Sequence, residues 1–269
     1  MLKNKNDLFN QLPRLQLERM AEAGAQIIEC YRVLQKAGLN IVGEVLKGQG
    51  EFYELEHYPK DDVFDGETHS QYYYHAHRSG VQEHGHFHTF LRQPGMPSSL
   101  SPVPYHGSEP WPEDGDALSH LVGISMNAYG FPIGLFATNR WVTAEAWYKA
   151  EDVITMLDHF KIDHAHPSWP VNLWISSMLV LFRPQIEILL RQRDQMVAGW
   201  ESRYPGVDAY EDRELELTGF TSINVEQQIK NVVAAIEVCN ETSVIETSHA
   251  IKPFSFENIA KSKERQLAK

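Results

Sequence analysis

The segment Tyr72-Tyr73-Tyr74-His75-Ala76-His77-Arg78, continued by Ser79-Gly80-Val81-Gln82 and Glu83-His84-Gly85-His86-Phe87-His88, decides how this chain is read. Five histidines fall within these residues, where an even spread of the chain's 13 would place fewer than one. They recur at intervals of two, which is the period of a β-strand, so His75 and His77 share a face, as do His84, His86 and His88. Two strands, roughly 70–78 and 83–92, are therefore expected, joined at Ser79–Gln82. In an antiparallel pair the numbers of opposed residues have a constant sum. A four-residue loop then pairs Arg78 with Glu83, His77 with His84, His75 with His86 and Tyr73 with His88. All five histidines and Tyr73 gather on one face, and Tyr72, Tyr74, Ala76, Phe87, Thr89 and Leu91 form an apolar surface on the other. A slip by one residue would mix the two sets, which a half-buried sheet resists. In this register Glu83 points away from the histidines and is not counted among them.

Outward from the hairpin, the pattern is helix, then strands, then helices. Residues 7–37 repeat apolar side chains at three and four, with a break near Pro13 and a stop at Gly38. Gly24 inside that stripe suggests a close approach by another element. Residues 51–58 read as a strand, and 59–66 as an acidic turn. The stretch 94–116 is a long loop rich in Pro, Ser and Gly. Two apolar runs, 120–127 and 131–138, flank Ala128-Tyr129-Gly130 and read as a second hairpin. Helical periodicity follows over 143–160, 171–200 and about 224–239, with Pro184 expected to kink or split the second. The tail 252–269 is polar. This order predicts a single α+β domain, with an antiparallel sheet at about 51–138 between N-terminal and C-terminal helices.

Composition narrows the function classes. The net charge of −12 argues against nucleic acid as a partner, since phosphate recognition rests on Lys and Arg. No apolar run is long enough to span a bilayer, and Met1–Asp7 lacks the apolar stretch of a signal peptide. A cytoplasmic location is expected, with Cys30 and Cys239 as core thiols. No phosphate loop, dinucleotide fingerprint, serine nucleophile elbow or Cys–His pair is present.

The candidate chemistry is therefore that of the imidazoles. Imidazole suits iron, zinc, copper or nickel, and a divalent ion, Fe or Zn, is the expected cofactor, with His75, His77, His84, His86 and His88 as metal residues. Five exceed what one ion takes, so some must orient the others, carry protons or serve a second ion. A histidine-lined groove for an anionic ligand is the plain alternative. Tyr73 is a candidate catalytic donor to a metal-bound ligand. Arg140, in Asn139-Arg140-Trp141-Val142-Thr143, is a candidate anchor for a substrate carboxylate, with Thr143 as the cap of the helix that follows. His120 could reach the same face. His164 and His166 form a second His-x-His, best read as a surface turn, and His57, His69 and His106 flank the region. The expected reaction is that of a non-haem iron oxidoreductase on a small molecule, because no carboxylate stands near to serve hydrolysis. A zinc-dependent hydrolase and a non-catalytic metal- or ligand-binding protein are the alternatives, and a homo-oligomer is left open.

The runs Tyr-Tyr-Tyr-His-Ala-His-Arg, Glu-His-Gly-His-Phe-His and Asn-Arg-Trp-Val-Thr resemble an uncharacterised bacterial protein family of unknown function, over roughly residues 50–200. That resemblance implies no activity. His-x-His on a strand is also similar to the presentation of imidazoles in cupins and α-type carbonic anhydrases. The glycine spacing and second motif of a cupin are missing here, and the long helices fit neither fold, so the likeness extends only to how strands offer ligands.

Overall fold

The computed structural model describes residues 6–77, 83–113 and 117–242. Six strands form one antiparallel sheet in the order of the chain: β1 (Tyr58–Phe64), β2 (Ser70–His75), β3 (Gly85–Arg92), β4 (Leu118–Met126), β5 (Pro132–Thr138) and β6 (Leu217–Ser222). Helices α1 (Asn6–Asn10), α2 (Arg14–Lys36) and α3 (Ile41–Leu46) precede it, and α4 (Arg140–Thr143), α5 (Ala150–Met156), α6 (Trp169–Leu181), α7 (Arg183–Arg203) and α8 (Val225–Thr242) follow β5. The architecture is α+β.

Alternation sorts the sheet residues into two faces. Tyr74 pairs with Phe87, Phe87 with Ile124 and Ile124 with Leu135, and all four are fully or almost fully buried. This face packs on the helices. The Phe87 ring lies 5.8 Å from that of Trp174 on α6, and the Tyr72 hydroxyl donates to Asn172 Oδ1 at 2.6 Å. Trp174 Nε1 in turn donates to the Tyr31 hydroxyl on α2 at 3.0 Å. Gly24 does admit a close neighbour, since a Cβ there would come within 2.8 Å of Ile229 on α8.

The opposite face carries the rows His75–His86–Ser125–Gly134 and Tyr73–His88–Gly123–Phe136. The glycines make room for rings. A Cβ on Gly123 would meet the Phe136 ring, so Phe136 lies across the strand and against His86 and His88, at 5.1 and 5.4 Å between centroids.

Several expectations are corrected. Residues 51–57 form a loop, and the first strand lies instead at Tyr58–Phe64, which apart from Tyr58 falls in the stretch read as an acidic turn. Its alternation is broken by a bulge between Tyr58 and Val63, with Asp61 and Asp62 at φ +73° and +60°, which hid the period of two. The sheet is not confined to 51–138, because Leu217–Ser222 returns beside β5 as its sixth strand. Of the helix read over 143–160, only α5 and a 3-10 turn at Leu157–His159 form; α4 ends at Thr143, closed by Ala144 at positive φ. Thr143 ends α4 rather than capping a helix, and Asn139 Oδ1 caps it by accepting the Arg140 N–H at 2.9 Å. Pro184 splits the long C-terminal helix as expected: α6 and α7 meet at 72°, with Pro184 in the first turn of α7. No single described helix is long and apolar enough to cross a membrane; the bent α6–α7 pair passes on length and composition, and both helices bury side chains in the core.

Candidate metal centre

The hairpin register holds from Ser70–Leu91 to His75–His86, where the ladder ends short of the expected His77–His84 pair. Tyr73 opposes His88, Tyr74 opposes Phe87, and His75 opposes His86. The expected Arg78–Glu83 pair and the Ser79–Gln82 loop lie outside the described residues, as does the 252–269 tail. Of the five histidines, three converge. One ring nitrogen from each of His75, His77 and His86 lies within 4.8 Å of the other two, with His75 and His86 buried and His77 half-buried. Their ring centroids are 4.6 to 5.1 Å apart. Four-coordinate zinc at its usual bond length places its nitrogens about 3.4 Å apart, so the rings need only close slightly to hold an ion. These three residues could hold a metal.

Glu83 orients the centre. His86 Nδ1 donates to Glu83 Oε1 at 2.6 Å, which fixes the tautomer and makes Nε2 the nitrogen that could bind an ion. The expectation that Glu83 points away is thereby corrected. The ladder begins only at Gly85, so residue 83 is not bound by strand alternation and its carboxylate turns back to the histidine face.

His84 leaves the set for the same reason. Its Nδ1 lies 2.7 Å from the Tyr74 hydroxyl, and its ring stacks on Phe52 at 5.6 Å. Gly85 permits this, because a Cβ there would fall 2.5 Å from that hydroxyl. His84 thus belongs with Tyr74, on the helix-packed side.

His88 lies behind the triad, 5.1 Å from His75 and 5.0 Å from His86 between centroids, and is fully buried. Its Nδ1 is 3.0 Å from His120 Nε2, so the pair shares one hydrogen. His120 reaches this face through a bulge in β4: Thr89 opposes Val122 but Phe90 opposes His120. Burial, then the positive charge of Arg193, lowers the His120 pKa to about 3, so it is neutral near pH 7. Its backbone N–H donates to Glu145 Oε2 at 2.6 Å. Burial raises the Glu145 carboxyl to about 7, against the pull of Arg193 and the hydrogen bonds from His120 and Thr143.

Tyr73 sits on the histidine face, with its centroid 5.2 Å from those of both His75 and His88, and burial raises its hydroxyl far above the ordinary tyrosine value. On its outer side the ring of His57 stacks at 3.6 Å and 10°. Arg140 is placed otherwise. Its guanidinium pairs with Glu211, donates to the Pro110 and Glu145 carbonyls, and lies over the Trp111 ring at 5.3 Å rather than beside Trp141. None of these contacts is a histidine, so this placement lends no support to a catalytic Arg140. His164 bonds to the Phe64 carbonyl in the expected surface turn.

A family model described as a domain of unknown function (DUF6969) matches residues 21–223, about three-quarters of the chain, including His75, His77, Glu83 and His86. No curated protein and no solved structure matches the chain.

Proposed function

The chain belongs to the family of that domain of unknown function, DUF6969, so the function must be argued from the site, and we propose that it is a metal-dependent enzyme whose divalent ion is held by His75, His77 and His86. The convergence of these three ring nitrogens within 4.8 Å carries the reading. With an ion held by these three nitrogens, the remaining coordination positions would be available to a small-molecule substrate, and iron there would supply oxidative chemistry. A non-haem iron oxidoreductase is the first form of the proposal. It is supported by the donor set, which is three imidazole nitrogens, the ligand type that suits iron as well as zinc. Tyr73 supplies a hydroxyl that burial keeps protonated, and the rings of Phe90 and Phe136 exclude water around His88 and His86. The neutral state of His120 keeps a second positive charge from the ion.

A zinc hydrolase is the second reading. The hydrogen bond from His86 to Glu83 favours it, because a carboxylate behind a histidine raises ligand basicity at zinc centres. Zinc would acidify a bound water toward neutral pH.

Metal analysis of tag-free protein decides between them. About one ion per chain is expected, and His75→Ala should abolish its retention. Protein loaded anaerobically with ferrous iron should give the high-spin electron paramagnetic signal of a nitric oxide adduct, which requires an open position. Native zinc with no such adduct favours the hydrolase. Protein that takes up no iron, zinc, copper or manganese removes both readings and leaves the histidines as lining for a polar groove.

A further inference from the structure

We propose that His57 is a positioning residue for the open side of the triad: its Nε2 accepts a hydrogen bond from the ligand there, which enters through the cavity that His57 lines. The inference rests on the metal reading above and adds to it a ligand class, namely water or a small molecule with an O–H or N–H to donate.

The geometry of His57 is over-determined for a residue in a surface loop. Its side chain is 44% exposed, yet its orientation is fixed on two sides. Nδ1 donates to Asp62 Oδ1 at 2.9 Å, and the ring plane lies flat on Tyr73. Asp62 is itself held, since its Oδ2 accepts from Gln71 Nε2 at 2.6 Å and Gln71 Oε1 accepts from Arg92 Nε at 2.7 Å. The β1 bulge that delivers Asp62 sets two consecutive non-glycine residues at positive φ, an arrangement that persists only where its surroundings enforce it. The loop is tied down as well, by the Leu55 N–H donating to the Ala76 carbonyl at 2.9 Å, next to His77.

That orientation has a chemical consequence. In the neutral ring, with the hydrogen on Nδ1 engaged by Asp62, Nε2 presents a lone pair and the group it meets must be a donor. The His57 ring lies 5.6 Å from that of His75 and also lines a cavity of about 340 Å³. Gln49, Glu51, Tyr53, Glu56 and Lys60 line the cavity beside it, and its volume is that of a small-molecule site. The plain alternative is that His57 merely covers Tyr73 with an aromatic ring. Phenylalanine would serve that purpose equally well, and glutamine would not.

The discriminating experiment titrates azide, an acceptor with no proton to give, into cobalt(II)-loaded wild type, His57→Phe and His57→Gln, followed by visible absorption. All three should bind about one cobalt per chain. Wild type should bind azide most weakly, because His57 favours the water that azide displaces. His57→Phe, which keeps the stack and loses the acceptor, should bind azide about three- to tenfold tighter, the worth of one net hydrogen bond. His57→Gln, which keeps an acceptor and loses the stack, should stay near wild type. An azide affinity for His57→Phe within twofold of wild type overturns the proposal while the triad stands, and so does equal tightening in His57→Gln. Wild type that takes up no cobalt overturns the triad reading and this proposal with it.

Discussion

The N–H of His86 Nδ1 is given to Glu83 at 2.6 Å, and both side chains are almost wholly out of solvent. A buried carboxylate in that position does two things for a metal ligand. It fixes which nitrogen carries the lone pair, and it raises that nitrogen's basicity. Replacing Glu83 with Gln keeps an oxygen that can accept the bond but removes the negative charge. The expected outcome is a metal affinity about 10- to 100-fold weaker, measured by competition with a chromophoric chelator, with far-UV circular dichroism unchanged. An affinity equal to wild type would show that the carboxylate has no part in the centre. Glu83 and His84 also mark where strand alternation stops applying. Both precede the ladder that starts at Gly85, and each points to the side that a period of two does not allow.

At the scale of an element, β4 shows how one bulge changes the chemistry of a face. The register shift after Thr89 puts His120 beside His88 and returns Leu121 and Val122 to the core. Glu145 completes the bulge by accepting the His120 N–H, and it does so fully buried. The raised carboxyl has a definite sign in stability. Folded Glu145 keeps its proton up to about pH 7, whereas the unfolded chain loses it near pH 4.5. Its contribution is therefore complete below pH 4.5 and is lost as the pH rises to 7. Glu145→Gln, which cannot ionise, should gain stability relative to wild type across that window, by up to about 3 kcal/mol. Urea denaturation at several pH values checks this, and a difference independent of pH would refute it. His120, with its lowered pKa, acts in the opposite sense: its contribution is present above pH 6.5 and is lost as the pH falls toward 3. It is common to both proteins.

At the scale of the whole molecule, the sheet separates folding from function. One face carries Tyr72, Tyr74, Phe87, Ile124 and Leu135 into a core shared with α2, α6 and α8, while the other carries the histidines. The core does not pass through the triad, so metal should not be needed to fold. Protein stripped with a chelator is expected to keep its helical circular dichroism, unlike a zinc finger, whose binding energy is its folding energy. Returning metal at about 100 times its dissociation constant should add about 2.7 kcal/mol, or about 5–10 °C in Tm for a domain of this size. His86→Ala should abolish that rise while remaining folded. Loss of helical signal on stripping would make the site structural.

The sequence alone determined the hairpin register, the face that gathers the imidazoles, the second hairpin, the break at Pro184 and the α+β class. Each of these follows from interactions between residues close along the chain, where a period of two or 3.6 and a proline's missing N–H act locally. Tertiary structure alone decided which histidines meet. His84 and Glu83 stand where the ladder ends, and their directions are set by Tyr74, Gly85 and His86. The bulges that deliver Asp62 and His120 break the periods by which strands are recognised, and Gln71 and Glu145 hold them from elsewhere in the chain. The sixth strand, Leu217–Ser222, carries a burial pattern too mixed to announce itself and is fixed by pairing with β5, some eighty residues before it. Local rules place histidines on a face, and only long-range packing selects which of them converge.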